Sequence, residues 1–228
     1  MADKKIKDFK TDAFVLRRTN YREADRILTI ISPIGQKSVI AKGVRKEKSK
    51  LAGAVEPFSL TEMNLHEGKS ELLTLTGARC KKFYGEILKD FSRLEVASEI
   101  MKKVIRATSS IDSPEYFELV RQCFEALEAR GDNNVILTWF YLNLARTNGE
   151  EINLHFDTDG KILSEYERYV WDSTELALKP EPKGRIGVNE IKMLRLMLAA
   201  KLGLVLRVKE AKEMTEELLF VAKTLNQL

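Results

Sequence analysis

Cysteine is nearly absent: the 228 residues hold only Cys80 and Cys123. Their separation fits neither a disulfide framework nor a zinc knuckle, so both are expected as small buried apolar residues. Histidine is equally scarce. His66 and His155 stand far apart with no HxxxH or HExxH spacing, and no metal is expected. Long apolar runs are missing too. The longest, "VILTWFYLNLA" at 135–145, falls short of the ~20 residues that cross a bilayer. The opening "MADKKIKDFKTDAF" has positive charge but no apolar stretch behind it, so it does not read as a signal peptide, and a cytoplasmic protein is the expectation.

Catalytic signatures are also lacking. The "EGKSE" at 67–71 has the Gly-Lys-Ser ending of a phosphate loop, but Met63 stands where the required glycine belongs and no helix is expected to follow. No GxGxxG, GxSxG or HExxH occurs, and the carboxylates fall in ordinary solvated helix patterns. No enzyme and no cofactor are expected.

What is present is a split in charge. Residues 1–90 hold 19 Lys/Arg against 12 Asp/Glu, whereas residues 91–228 hold 19 against 22. A basic N-terminal part joined to a mildly acidic remainder suggests a module that meets polyanions; a solvated basic face is the plainer alternative.

The same border separates two periodicities. "DAFVLRR" (12–18), "RILTIIS" (26–32), "KSVIAKGV" (37–44), "FSLTEMNL" (58–65) and "ELLTLTGARC" (71–80) read as strands, with "SPIGQ" and "HEGKS" as turns. Phe58 and Leu60 set one phase and Met63 and Leu65 the other, which predicts a bulge at Glu62. Five short strands with a bulge predict a small closed barrel, an OB-fold first and an SH3-like barrel second.

From Tyr84 the period becomes helical. Ile87, Leu88, Phe91, Leu94, Val96, Ile100, Met101, Val104 and Ile105 form one stripe. A second helix begins at Ser113-Pro114 and ends at Gly131. "NVILTWFYLNLARTNG" is apolar nearly all round and predicts the central helix of a bundle, with two amphipathic helices near 188–202 and 209–225. Residues 150–186 interrupt this pattern. "INLHFDTDGKILSEYERYVWD" predicts a hairpin turning at Asp159-Gly160, and "LKPEPKGRIG" a surface connection. "DTDG" lacks the glutamate that a calcium loop needs at its twelfth position. The expected class is therefore α+β: an OB-fold barrel over 1–83, then an α-helical bundle over 84–228 with a small β-hairpin insertion at 150–186.

Oligonucleotides meet an OB-fold over strands 2 and 3 and at the loops joining strands 1 to 2 and 4 to 5. The first loop holds Arg17, Arg18, Arg22 and Arg26 around Tyr21, the second holds Lys69, and strand 3 runs from Lys37 to Lys42. It leads into "AKGVRKEKSKLAGAVEPF" (41–58), where Lys42, Arg45, Lys46, Lys48 and Lys50 face one Glu47. Cations suit phosphates and an aromatic suits unstacked bases. For Tyr21 the alternative is a barrel-end cap packed on Phe14 or Phe58. For the lysine run it is a solubilising loop. A protein-interaction adaptor and an OB-type RNA binder are the competing functions.

The stretch "AFVLRRTNYREADRILTIISPIGQKSVIAKGVRKEKSKLAGAVEPF" resembles the N-terminal domain of the bacterial RecO family. The "AKG-V-R" step, the following "KSKLAGA" and the closing "PF" carry the likeness, strong over 13–80 and weaker through the helices. The resemblance implies a non-enzymatic DNA repair and recombination mediator. Such proteins bind single- and double-stranded DNA, anneal complementary strands, and act with RecR to help RecA replace single-stranded DNA-binding protein, in the cytoplasm around the nucleoid. Many relatives carry a four-cysteine zinc finger where "INLHFDTDGKILSEYERYVWD" lies. This stretch has no cysteine, so Phe156, Tyr166, Tyr169 and Trp171 are expected to hold it by packing. Arg121, Arg130 and Arg146 are candidates for the pocket that takes the acidic tail of single-stranded DNA-binding protein.

Overall fold

A computed structural model describes residues 7–68, 70, 72–109, 113–150 and 152–225. The chain divides into two compact units, one through Glu128 and the other from Ala129.

The first unit opens with β1 (Lys7–Tyr21), β2 (Asp25–Ser32), β3 (Gly35–Ala41), β4 (Ser59–Glu67) and β5 (Leu73–Phe83). They close into a barrel of order β1-β2-β3-β5-β4, with β3 and β5 parallel and the other pairs antiparallel. This is an OB-fold. Alternation supplies its core, because every second residue points inward: Ala13, Val15, Leu28, Ile30, Val39, Ala41, Met63, Leu65, Leu73 and Leu75 all do so.

The bulge expected at Glu62 lies elsewhere. β4 alternates without a break, Ser59 and Thr61 taking inward positions ahead of Met63 and Leu65. Their hydroxyls are satisfied locally, Ser59 Oγ donating to the Glu56 carbonyl at 2.7 Å and Thr61 Oγ1 to the Ala54 carbonyl at 2.9 Å. The register slips instead opposite β4, where β5 gains Thr76 and Lys81, and in β1 between Val15 and Arg17.

After the barrel come α1 (Gly85–Leu88), α2 (Phe91–Ala107) and α3 (Glu115–Glu128), all within the first unit. The switch from strands to helices at 83/84 thus falls inside this unit. Phe14 lies in the outward phase of β1 and packs its ring on Tyr84, Phe117 and Phe124 at 5.3–6.0 Å; Phe58 joins at 5.8 Å from Phe124. Burial of these rings seats the helices on the barrel wall. Asp90 caps α2 by accepting from Arg93 N at 3.0 Å, and Ser113 Oγ accepts from Glu115 N at 3.2 Å, as the Ser-Pro start predicts. Beyond α3 the left-handed residue is Arg130, with φ +59°, and not the neighbouring Gly131.

The second unit centres on α4 (Asn133–Thr147), whose residues Val135 to Ala145 are all buried, with α5 (Val188–Ala199), α6 (Leu202–Val205) and α7 (Ala211–Thr224) packed around it. Polar side chains of α4 take the last carbonyls of α5. Trp139 donates to Ala200 O at 3.0 Å, Asn143 to Met197 O at 3.1 Å and Arg146 to Leu198 O at 2.5 Å.

The 150–186 region is a three-stranded sheet of order β6-β8-β7, from β6 (Asn153–Asp157), β7 (Tyr169–Asp172) and β8 (Ala177–Pro180). The turn at Asp159-Gly160 is present, held by Asp157 Oδ1 accepting from Asp159 N and Lys161 N at 2.9 Å each. Its return arm is a single bridge, Phe156 to Ile162, so the expected two-stranded hairpin is corrected. The true hairpin is β7–β8, and β8 includes part of the expected surface connection. Of the four aromatics expected to pack, Tyr169 is fully buried, while Phe156 is half exposed and Tyr166 wholly so.

Candidate nucleic-acid interface

The cation-rich loop between β3 and β4 is pinned at both ends by apolar residues. Val44 and Val55 are buried in the barrel core, Leu51 packs against it, and a short 3-10 helix, Ala52–Val55, leads back to β4. Between these anchors Arg45, Lys46, Lys48 and Lys50 are exposed, so burial of two valines presents four cations to solvent as one arc. Turns shape it, with Ser49 N donating to Lys46 O at 3.0 Å and Lys46 N to Gly43 O at 3.1 Å. Gly43 has φ +65°, a conformation that a side chain would strain.

The β1–β2 turn is laced to the start of this loop. Asp25 Oδ1 accepts from Gly43 N at 2.7 Å, Arg45 N donates to Ala24 O at 2.9 Å, and the Arg45 guanidinium reaches the Arg22 carbonyl at 3.5 Å. Arg22, in the left-handed region, lays its guanidinium 5.1 Å from the centre of the Tyr21 ring. Tyr21 therefore stands at the turn. It does not cap the barrel on Phe14 or Phe58, which belong to the cluster around Phe124.

Arg18 and Arg26 have a different setting. Arg18 pairs with Leu28 and Arg26 with Ala41, so both take the inward phase at the barrel mouth. They share one carboxylate: Glu56 Oε2 lies 2.5 Å from Arg18 and Oε1 lies 3.6 Å from Arg26. All three side chains keep a quarter to nearly a half of their surface exposed, which limits each pair to about 0–1 kcal/mol. Sequence reasoning missed Glu56, since nothing in a lone loop glutamate announces its partners 30 and 38 positions upstream.

The remaining candidates are dispersed. Arg17 is exposed and shares an outward row with Thr29 and Ser38. Lys37 pairs with Ile30, in the inward phase near the start of β3, and is removed from Lys42 by five residues, roughly 17 Å of strand. Lys69 lies outside the described residues. The structure thus gathers Arg18, Tyr21, Arg22, Arg26, Lys42, Arg45 and the lysines after it at one end of the barrel.

The wall formed by β1, β4 and β5 contrasts with that end. Lys81 Nζ lies 2.6 Å from Asp12 and 3.7 Å from Glu62, with Arg79 3.9 Å from Glu62, so opposite charges cancel there. The hydrogen bond to Asp12 holds the Lys81 ammonium above its ordinary range.

Among the described residues no three His, Cys, Asp or Glu come together as a metal site. The expected burial is corrected for Cys80, which is exposed in the outer stretch of β5; Cys123 is buried as expected, and burial pushes its thiol well above the ordinary range. No described helix is long and apolar enough to cross a membrane. Arg121 is held between Glu118 and Glu125 at 2.7–2.9 Å on its own helix, and its hydrogen bond to Glu118 raises it further. Arg146 borders a groove of about 630 Å³ with Ile152, Leu154, His155, Arg195 and Leu198.

Comparison with known proteins follows this division. The family described as "Recombination protein O N terminal" matches residues 6–84. A protein named DNA repair protein RecO from Dehalococcoides mccartyi (strain CBDB1) is 28% identical over 219 residues, which cover 92% of this chain and 86% of that protein. The protein of the same name from Desulforamulus reducens is 40% identical over 96 residues, 42% of this chain and 37% of its own. That from Alkaliphilus metalliredigens is 36% identical over 100 residues, 43% of this chain and 40% of its own. The matched domain spans the whole barrel, and the likeness to the Dehalococcoides mccartyi protein runs on through both units, so the chain is similar to RecO proteins in its barrel and beyond it.

Proposed function

We propose that this protein is a DNA repair and recombination mediator that binds single- and double-stranded DNA on the basic end of its barrel and anneals complementary strands. The observation that carries the reading is the arc of Arg45, Lys46, Lys48 and Lys50 held between the buried Val44 and Val55, beside the Tyr21–Arg22 turn. The relatives named DNA repair protein RecO support DNA as the polyanion in this reading. Anchored ends limit the ordering cost of binding, and side chains on a turn follow phosphates without reading base edges.

Annealing then needs no catalytic step. Each strand carries a dense line of phosphates, and two such strands repel until cations reduce their charge. Neutralisation on one surface lowers that repulsion and raises the encounter rate. Tyr21 adds one stacking platform of about 1–3 kcal/mol, small beside several phosphate contacts, so binding is governed by charge and largely indifferent to sequence.

Within this reading the helical unit holds protein partners: RecR, and the acidic tail of single-stranded DNA-binding protein at the Arg146 groove. RecA benefits indirectly, loading onto DNA from which that protein has been displaced. The working place is the cytoplasm around the nucleoid.

The test is annealing of complementary oligonucleotides, bare and then coated with single-stranded DNA-binding protein, alongside fluorescence anisotropy with labelled DNA over a salt series. The expected result is binding that weakens steeply with salt and annealing on both substrates. Absence of binding at low salt would leave a protein adaptor, and a preference for RNA of the same sequence would point to 2′-hydroxyl recognition.

A further inference from the structure

We infer that Glu56 is a built-in competitor of phosphate: its carboxylate occupies the Arg18 and Arg26 guanidiniums at the barrel mouth, and nucleic acid must displace it to engage them. The inference rests on the proposed DNA-binding reading and goes beyond it by assigning an affinity-limiting role to an acidic residue.

The geometry favours exchange over a permanent clasp. Glu56 follows the short 3-10 helix with extended backbone, and its carbonyl is fixed by the Ser59 hydroxyl at 2.7 Å. Its side chain can therefore rotate away while the chain stays in place. Contact with Arg18 is close at 2.5 Å, but that with Arg26 is loose at 3.6 Å, and the Arg26 Nε–H reaches Asn20 Oδ1 only at 3.5 Å. Neither hold on Arg26 uses its planar donor fork well. One carboxylate against two guanidiniums leaves a positive charge uncompensated at the mouth.

Carboxylate and phosphodiester are alike to a guanidinium, each offering two oxygens and one negative charge in the spacing that the fork matches. The three side chains are partly open to solvent, so an arriving phosphate has access. The loop that ends at Glu56 also carries the exposed cations, and Asp25, next to Arg26, holds the start of that loop through Gly43. A strand captured by Lys46 and Lys48 is thus brought to the mouth where Glu56 stands. Weak retention by an internal anion leaves the site reversible, as strand annealing requires when the product must be released.

Glu56→Gln removes the charge and keeps shape and a hydrogen-bond acceptor. Anisotropy with labelled oligothymidylate at about 0.15 M salt is expected to show about two- to fivefold tighter binding, the range in which release from an exposed ion pair falls. The gain is expected to vanish when Arg18→Gln and Arg26→Gln are added. Thermal melting of each variant separates binding from folding. Weaker or unchanged binding by a folded Glu56→Gln protein would overturn the inference and make Glu56 a structural clasp. Independently, the Arg18→Gln/Arg26→Gln protein with Glu56 intact is expected to bind at least about tenfold more weakly, having lost two phosphate partners and bared a carboxylate; unchanged affinity there also overturns it. Failure of the wild-type protein to bind at low salt would instead overturn the DNA-binding reading beneath.

Discussion

The ring of Phe14 stands edge-on to that of Phe124, 5.3 Å between centroids and 77° between planes. One belongs to the first strand and the other to α3, 110 positions later, and both are fully buried. Their contact ties the helices that follow to the barrel within the first compact unit. Phe124→Ala removes a ring that also touches Phe58 and Tyr84. It is expected to destabilise the first unit by about 3–5 kcal/mol. Urea unfolding followed by tyrosine fluorescence checks it; a loss below about 1 kcal/mol would mean that the helices do not depend on this cluster.

Reversal of Lys46, Lys48 and Lys50 to Glu is expected to weaken binding to every DNA sequence alike. The plot of log K against log salt should flatten by about 0.7 for each lost contact on single strands. The anchors Val44 and Val55 are untouched by these changes, so thermal stability should stay close to that of the parent protein. An unchanged slope in the salt titration would remove this loop from the DNA site.

The strands that could be read directly are those whose inward residues are aliphatic. Leu28 and Ile30, or Val39 and Ala41, announce a face by hydropathy alone. β4 misled because Ser59 and Thr61 occupy core positions with their hydroxyls bonded to local carbonyls, which an apolar–polar alternation cannot reveal. β8 was missed since Lys179 and Pro180 read as breakers, and Pro180 is tolerated at the end of a strand. The basic arc was legible as composition. Its anchoring by Val44 and Val55, and the capture of two arginines by Glu56, depend on residues brought together by barrel closure.

Gly184 faces a tighter constraint than any turn. A Cβ there would lie 2.2 Å from the Tyr169 carbonyl oxygen and 2.8 Å from its nitrogen, because the Tyr169 and Ile186 backbones bond to each other at 2.8 and 3.1 Å across it. Gly184→Ala must push β7 away and break that pair. A loss of about 1–3 kcal/mol in the second unit is expected, the range of overpacked sites. The melting temperature read at the tryptophan signal of Trp139 and Trp171 measures it, and wild-type melting would refute the close approach.

Alkaline pH offers a test of burial in the first unit. Desolvation pushes the Cys123 thiol and the Tyr84 hydroxyl well above their ordinary ranges, and the Tyr84 oxygen is buried without a hydrogen-bond partner. Folded protein thus holds these protons more tightly than unfolded chain. The sign follows from linkage: stability is complete below the unfolded values, about pH 8.5 for a thiol and about 10 for a phenol, and is lost as pH rises through them toward the folded values. Each such proton contributes a slope of up to about 1.4 kcal/mol per pH unit in that window. The urea midpoint is expected to be flat from pH 7 to 8 and to fall between pH 9 and 10.5. In Cys123→Ala the midpoint at pH 7 should be lower, because a buried sulfur is lost, while the decline should begin about a unit and a half later, at the phenol. An identical onset in both proteins would show that the thiol titrates freely and that Cys123 is not sealed in the folded state.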